Sequence, residues 1–353
     1  MESFTTCTTY QSVQNDSVTD DPSRSTSIIR EMPQIMYYEI VGFTALLTNG
    51  TLVHLILTHR KLWKIHNVKL CSMSTSGIFF ALLFCLPYPI TVIYQVNFLC
   101  YLKNPLRNFL MSCICLHLAL IAVDRTITII LPFSYSKVVN RKYTYVCLTI
   151  IWLTALVGSF YPLFTFRTQG QNSTKNSCPT SGEITDELTY TLAFYSFCFL
   201  GPLLIMISCY GYIFFISLRH LKMINNHQIP SFLLVHNRKS QLIARRFKAA
   251  VPFIIITGTF IALVVPQIIC SMVALILGSL PFSIRIQSLQ LLINCLKASR
   301  YGLRELAFSY PALNPLIYVY FSRDIRHEII NKFGRPLAYL SRTPNTTATF
   351  RTA

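Results

Sequence analysis

Long apolar runs alternate along the chain with short polar segments rich in Lys and Arg. A helix that crosses a bilayer needs about 20 mostly apolar residues. Seven runs reach that length, over 35–58, 69–95, 99–131, 144–166, 188–218, 248–277 and 288–320; six of these are clear. The third is weak in its first half, CYLKNPLRNF, where Lys103, Asn104, Pro105, Arg107 and Asn108 do not belong in hydrocarbon. That half is expected to face a water-filled cavity or to protrude from the bilayer. After the last run, SRDIRHEIINKF reads as a short amphipathic helix lying on the membrane. The pattern predicts an all-α fold, a seven-transmembrane helix bundle with a short amphipathic eighth helix at the membrane surface. Residues 1–34 are expected to form an extracellular N-terminal segment, 35–320 the seven-helix domain, and 321–353 the eighth helix and a cytoplasmic tail.

Composition narrows the class. Of 353 residues, 52% are hydrophobic and only 12% charged, against about 25% charged in an average soluble protein. Mean hydropathy is +0.47. A net charge of +18 would suggest nucleic acid in a soluble protein. Here the cations sit in short clusters between apolar runs, so membrane lipid is the expected partner and nucleic acid is not. The N-terminus MESFTTCTTYQSVQNDSVTDDPS is polar and acidic, without the apolar core of a signal peptide. The first run is therefore expected to act as an uncleaved signal anchor. Most of the 12 cysteines lie inside apolar runs, where a thiol behaves as a small hydrophobe. Cys7, Cys100, Cys178 and Cys295 fall in or beside polar segments and are the disulfide candidates.

The basic residues orient the bundle. Arg60, Lys61, Lys64 and Lys69 follow the first run, Lys137, Arg141 and Lys142 the third, and Arg219, Lys222, Arg238, Lys239, Arg245, Arg246 and Lys248 the fifth. Further Arg and Lys fill the tail. This predicts a cytoplasmic C-terminus and an N-terminus outside. The acids divide the other way. Asp16, Asp20 and Asp21 precede the first run, and Glu183, Asp186 and Glu187 lie in the second outer loop. Sequons at Asn15 and Asn172 fall on that side too. Those at Asn49 and Asn345 fall within a span and in the cytosol, where no glycan is expected.

The third run ends in LALIAVDRTITIILP, which sets Asp124 and Arg125 at its cytoplasmic edge. Alone, such a pair is usually a snorkelling edge pair. Other residues fall at telling intervals. Asn49 lies in the first run. Cys100 precedes Arg125 by 25 residues and Pro132 follows it by seven. Trp152 and Pro162 are ten apart, Pro202 and Tyr210 eight, and Phe260 and Pro266 six. The seventh run ends in NPLIYVYF, with Asn314, Pro315 and Tyr318. In this order and at these spacings the chain resembles the class A (rhodopsin-like) G protein-coupled receptors over nearly its whole length. The resemblance implies a disulfide between Cys100 and Cys178 and helix pivots at Asn49, Trp152, Pro202, Phe260 and Pro266. It also implies an activation switch, coupled to a heterotrimeric G protein, made of Asp124, Arg125, Tyr210, Asn314, Pro315 and Tyr318.

Within that family, the short third inner loop, the short tail, LPYP at 86–89 and Arg246 at the foot of the sixth helix resemble the chemokine receptors. This implies a chemokine ligand, of the CC class, drawn to the acidic outer face by long-range steering. It also implies a second outer disulfide, Cys7 with Cys295, and Tyr10 as a sulfation site. Tyr37 and Tyr38, at the membrane edge, are expected to stay unmodified. Ser341, Thr343, Thr346, Thr347, Thr349 and Thr352 in the tail could be phosphorylated to recruit arrestin.

The departures from the family are large. No acid lies between Glu39 and Asp124. Counted back from Pro87, the usual second-helix aspartate falls near Phe79, so the family's sodium site should be missing. Val264 replaces the sixth-helix tryptophan and Thr126 the tyrosine after Asp-Arg. Arg304 stands where chemokine receptors carry a glutamate; Glu305 is one residue on, rotated by about 100°. Intact cytoplasmic machinery beside an altered pocket is similar to the receptor homologues encoded by betaherpesviruses, the roseoloviruses especially. That likeness implies a host plasma membrane location. In this family the resting Arg125 is held by Asp124 and released when the sixth helix swings out. Sodium and an acid at the foot of the sixth helix are both lost, so signalling without ligand is expected. A rival reading keeps the fold but makes it a chemokine scavenger that does not signal. A transporter would show internal repeats, and none is seen. His54, His117, Arg304 and Glu305 are its few polar candidates, and a histidine in a bundle is usually packed and hydrogen-bonded. No metal-ligand spacing, phosphate loop or nucleophile elbow supports an enzyme, and no cofactor is expected.

Overall fold

The computed structural model describes residues 23–93, 97–131, 134–165, 184–225, 234–280, 287–322 and 325–326. Among them every regular element is helical. The first helix, Ser23–Thr58, leads through a 3-10 turn, Arg60–Leu62, into the second. That one runs as Ile65–Phe80, loosens into a π-helical turn at Ala81–Cys85 and finishes as Tyr88–Ile93. Pro87 explains the loosening. It has no N–H to give and its ring crowds the preceding turn. The Leu86 N–H reaches back five residues to the Ala81 carbonyl at 2.9 Å, the bond of a widened turn. The third helix is Asn97–Ile130 and the fourth Arg141–Thr165, with a single turn, Tyr135–Val138, between them. The fifth repeats the device of the second: Ile184–Tyr195, a π-helical turn at Ser196–Leu200 just ahead of Pro202, then Gly201–Asn225. The sixth is Leu234–Ser279 and the seventh Gln287–Phe321.

The helices close into a ring. The first packs on the second and seventh, the second on the third, the fifth on the sixth, and the sixth on the seventh. The third touches the second, fourth, fifth and sixth. It is the central post: 61% of its apolar span is buried, against 22–39% in the other five spans long and apolar enough to cross a membrane. The outward faces carry exposed apolar side chains such as Phe43 (62%), Leu47 (71%), Val157 (66%) and Phe164 (83%). A surface of that kind requires lipid around it, so the chain is a multi-pass membrane protein.

One expectation changes. The helices long and apolar enough to cross a membrane include the third, Leu102–Ile130, whose most apolar stretch has a mean hydropathy of 1.9; the seventh does not qualify by that measure. Lys297, Arg300, Arg304 and Glu305 make its first half polar. The polar half of the third helix packs into the bundle and does not protrude. Pro105 is buried and Arg107 half-buried, and Lys103 Nζ lies 4.3 Å from the centre of the Tyr88 ring. Of the expected eighth helix, Ser322, Ile325 and Arg326 fall within the described residues; Ile325 and Arg326 are helical, and Ile325 is fully buried.

Candidate functional site

At the end of the third helix, Asp124, Arg125 and Lys69 are 2%, 7% and 3% exposed. Charges this deep must be paired. The Asp124 carboxylate is shared. Its Oδ1 accepts hydrogen bonds from Lys69 Nζ and, at 2.8 Å, from the Tyr135 hydroxyl. Its Oδ2 lies 3.3 Å from Arg125 Nη2. The Arg125 guanidinium sits over the Phe253 ring, 4.3 Å from its centre. Tyr318 meets the same ring at 5.2 Å, and its hydroxyl donates to Asn67 Oδ1 at 3.1 Å. The Tyr210 hydroxyl donates to the Phe253 carbonyl at 3.4 Å and accepts from Thr257 at 3.2 Å. Burial, and then the Asp124 charge, push the Tyr135 hydroxyl well above its ordinary pKa, so it stays a donor.

The structure therefore gathers Asp124, Arg125, Tyr210 and Tyr318 as expected, but around two residues the sequence reading missed. Phe253 lies two turns before Phe260 on the same helix face, and that interval was the signal for it. Lys69 reads as a cytoplasmic loop cation by charge pattern. It belongs instead to the helix that begins at Ile65, where its ammonium turns inward.

Midway along the bundle, Asn49 Nδ2 donates to the Ala45 carbonyl at 2.8 Å and the Pro311 carbonyl at 2.9 Å. Pro315 has no N–H, so the Pro311 carbonyl loses its helical partner and Asn49 supplies the missing donor. Asn314 Nδ2 reaches Met73 Sδ at 3.6 Å. Asn49 Oδ1, Asn314 Oδ1 and Ser74 Oγ are buried without hydrogen-bond partners among the described residues. The second-helix residue facing Asn49 is Gly77, where a Cβ would come within 2.7 Å of Asn49 Oδ1. Phe79, the position reached by counting back from Pro87, is 40% exposed and edge-on to Trp152 at 6.0 Å. That count runs across the π-helical turn at Ala81–Cys85. Trp152 Nε1 donates to Ser72 Oγ at 3.0 Å, and His117 bonds Ser72 Oγ at 2.9 Å and the Cys113 carbonyl at 2.6 Å. His117 is thus a packed, hydrogen-bonded histidine. Phe260 meets Tyr310 edge-to-face at 5.2 Å, and Val264 is buried. Pro202 is buried behind its widened turn, and Pro266 lies inside the sixth helix.

At the opposite end, Glu305 turns to the first helix. Its Oε1 accepts from Gln34 at 3.0 Å, Tyr38 at 3.2 Å and its neighbour Arg304 at 3.0 Å. Tyr37 donates to the Glu305 carbonyl. Tyr38 is 1% exposed and packs against the Tyr88 ring, centres 4.2 Å apart and planes tilted by 37°, so it offers no modification site. Lys103, Arg107 and Arg304 lie within electrostatic reach of one another, and Glu305 is already shared. Cys295 is half-buried in the seventh helix. Cys7, Cys178, Asn15, Asn172, Asp16, Asp20, Asp21, Glu183 and Tyr10 lie outside the described residues. So do the side chains of Cys100, Asp186, Glu187 and Arg246.

The chain is similar to known receptors. It is 28% identical over 185 residues to mouse G-protein coupled receptor 161, a match covering 50% of this chain and 33% of that protein. It is 25% identical over 321 residues to octopamine receptor beta-2R of Chilo suppressalis, covering 83% of this chain and 77% of that one. It is 25% identical over 161 residues to neuropeptide receptor npr-1 of Caenorhabditis elegans, covering 44% and 33%. The chain thus spans about a third of the length of the receptor 161 protein it matches. None of these three is a chemokine receptor or a viral protein, so the ligand class and viral origin rest on the sequence reading alone. Residues 48–318 match the model of the seven-transmembrane receptors of the rhodopsin family. With that match covering well over half its length, the chain belongs to the rhodopsin-like family of seven-transmembrane receptors.

Proposed function

We propose that this chain transmits an outer ligand signal to heterotrimeric G proteins, with chemokines of the CC class as ligands and measurable activity in their absence. One observation carries the reading: Arg125 is buried under Phe253 among Asp124, Tyr210 and Tyr318, on four helices that must part for it to emerge. Such an element is bistable, and a ligand that favours the open arrangement shifts its population. The N-terminal segment 1–34 and the second outer loop carry the acids that would draw a basic protein ligand. Residues 35–320 carry the switch, and 321–353 the tail that would engage arrestin. The octopamine receptors suggest an amine ligand instead. Lys103, Arg107 and Arg304 oppose it, since like charges in a low-dielectric pocket repel. Viral origin and a host plasma membrane location go with the chemokine reading.

A chemokine panel tested on cells expressing the chain, for both binding and calcium flux, decides the matter. Binding with calcium flux supports a signalling receptor. Binding and uptake without flux would make it a scavenger. No binding across the panel, with surface expression verified, rules out the chemokine assignment.

A further inference from the structure

The Asp124 carboxylate has three suitors and serves them unequally. Oδ1 holds Lys69 and Tyr135 by hydrogen bonds. Oδ2 accepts no hydrogen bond among the described residues, and neither does Arg125 Nε give one. Arg125 is therefore held to Asp124 by charge at 3.3 Å, without the two-pronged, hydrogen-bonded fork that makes Arg–carboxylate pairs strong. Lys69 takes the better oxygen. It is 3% exposed and arrives from a different helix, so its charge cannot escape to water without moving the second helix against the third.

We propose that Lys69 is a built-in competitor for Asp124 that loosens Arg125 and sets the resting activity of the receptor. The carboxylate carries one negative charge and faces two cations in a medium of low dielectric. Whatever Lys69 neutralises is withdrawn from Arg125, and the two cations repel each other besides. Neutralising an acid that restrains a cation releases the cation. Here the neutralising charge is part of the chain itself. Tyr135 assists by occupying Oδ1 together with Lys69, which leaves Oδ2 as the only oxygen turned toward Arg125. Lys69 does not itself meet the G protein; it acts on Arg125 through Asp124 and is a positioning residue. Its role rests on the reading of Arg125 as the G protein switch, but its effect on the inner end of the bundle does not.

The test uses the full-length receptor with Lys69→Gln, which keeps a donor for Oδ1 and removes the charge, Lys69→Met, which removes both, and Lys69→Arg, which keeps the charge. Two readouts are taken. One is basal nucleotide exchange on an added G protein, normalised to surface expression and to Arg125→Ala as zero. The other is backbone hydrogen exchange at the inner ends of the third and sixth helices in receptor alone. Lys69→Gln should lower basal exchange by about three- to tenfold, within the usual size of a conformational coupling, and should slow hydrogen exchange at those helix ends. Lys69→Arg should leave both near wild type. If Lys69→Met fails to reach the surface, Lys69→Gln still decides. Unchanged or raised values in both readouts with Lys69→Gln would overturn the proposal. Slower hydrogen exchange in a receptor without any basal nucleotide exchange would uphold Lys69 and count against G protein coupling.

Discussion

The Arg125 guanidinium lies over the Phe253 ring, 4.3 Å from its centre. This joins the third helix to the sixth at the point where they must separate. A desolvated cation over a ring is worth up to about 2 kcal/mol, and Phe253 is only 3% exposed. Phe253→Leu keeps an apolar plug and removes the ring face. Basal nucleotide exchange should rise by about 5- to 30-fold at equal surface expression, the factor that corresponds to roughly 1–2 kcal/mol. The contact is incidental if basal exchange does not move.

Arg125 itself should divide signalling from binding. Its side chain is buried among Asp124, Phe253 and the tyrosine pair at one end of the bundle, whereas Glu305, Lys103 and Arg304 occupy the other. Arg125→Ala should abolish nucleotide exchange, basal and stimulated, and leave saturation binding of ligand within about twofold, since sites this far apart couple only through the global equilibrium. A loss of binding as large as the loss of signalling would show that Arg125 supports the fold rather than the switch.

How much of this was legible in the chain differs by residue. The apolar runs revealed seven helices, because a bilayer demands length and hydrophobicity and little else. Asp124, Arg125, Tyr210, Asn314 and Tyr318 were singled out by the family resemblance that their order and spacing carry. Lys69 was not. A charge count assigns a cation to the nearest loop, and only packing reveals that the ammonium of a helix end turns inward to a carboxylate. The count from Pro87 back to Phe79 has a related weakness. It assumes a uniform helical rise, and a π-helical turn that the count cannot see lies between them. Glu305 was placed off its expected face by rotation alone, but its partners Gln34 and Tyr38 come from the first helix, a non-local contact with no trace in the local pattern.

Gly77 tests the contact between the second helix and Asn49. A Cβ there would stand 2.7–2.8 Å from three atoms of the Asn49 amide. Asn49 cannot yield, because its Nδ2 satisfies the Pro311 carbonyl. Gly77→Ala should therefore destabilise the bundle by about 1–3 kcal/mol, the usual cost of overpacking a fitted core. Gly50→Ala, with nothing within 4 Å of the new Cβ, should be neutral. Thermal unfolding of purified receptor in detergent measures both. Equal melting temperatures for the two variants would place another residue against Asn49.

The end of the bundle around Glu305 makes a prediction about charge. Lys103 rests on Tyr88 at 4.3 Å, Arg304 is paired with Glu305 at 3.0 Å, and Arg107 lies one turn from Lys103. Oε1 of Glu305 already accepts from Gln34 and Tyr38, and its charge is shared with Arg304, so the net charge around it stays positive. Two like charges about 4 Å apart repel by roughly 4 kcal/mol at an effective dielectric near 20. That is as large as the whole binding free energy of a ligand with a Kd of about 1 mM. Octopamine should therefore give no nucleotide exchange at concentrations up to about 1 mM, although octopamine receptors are among the chain's relatives. Replacing the charge, as in Lys103→Glu, should move the preference toward cations. A dose-dependent octopamine response in the unmodified receptor would mean that these three cations do not face the ligand.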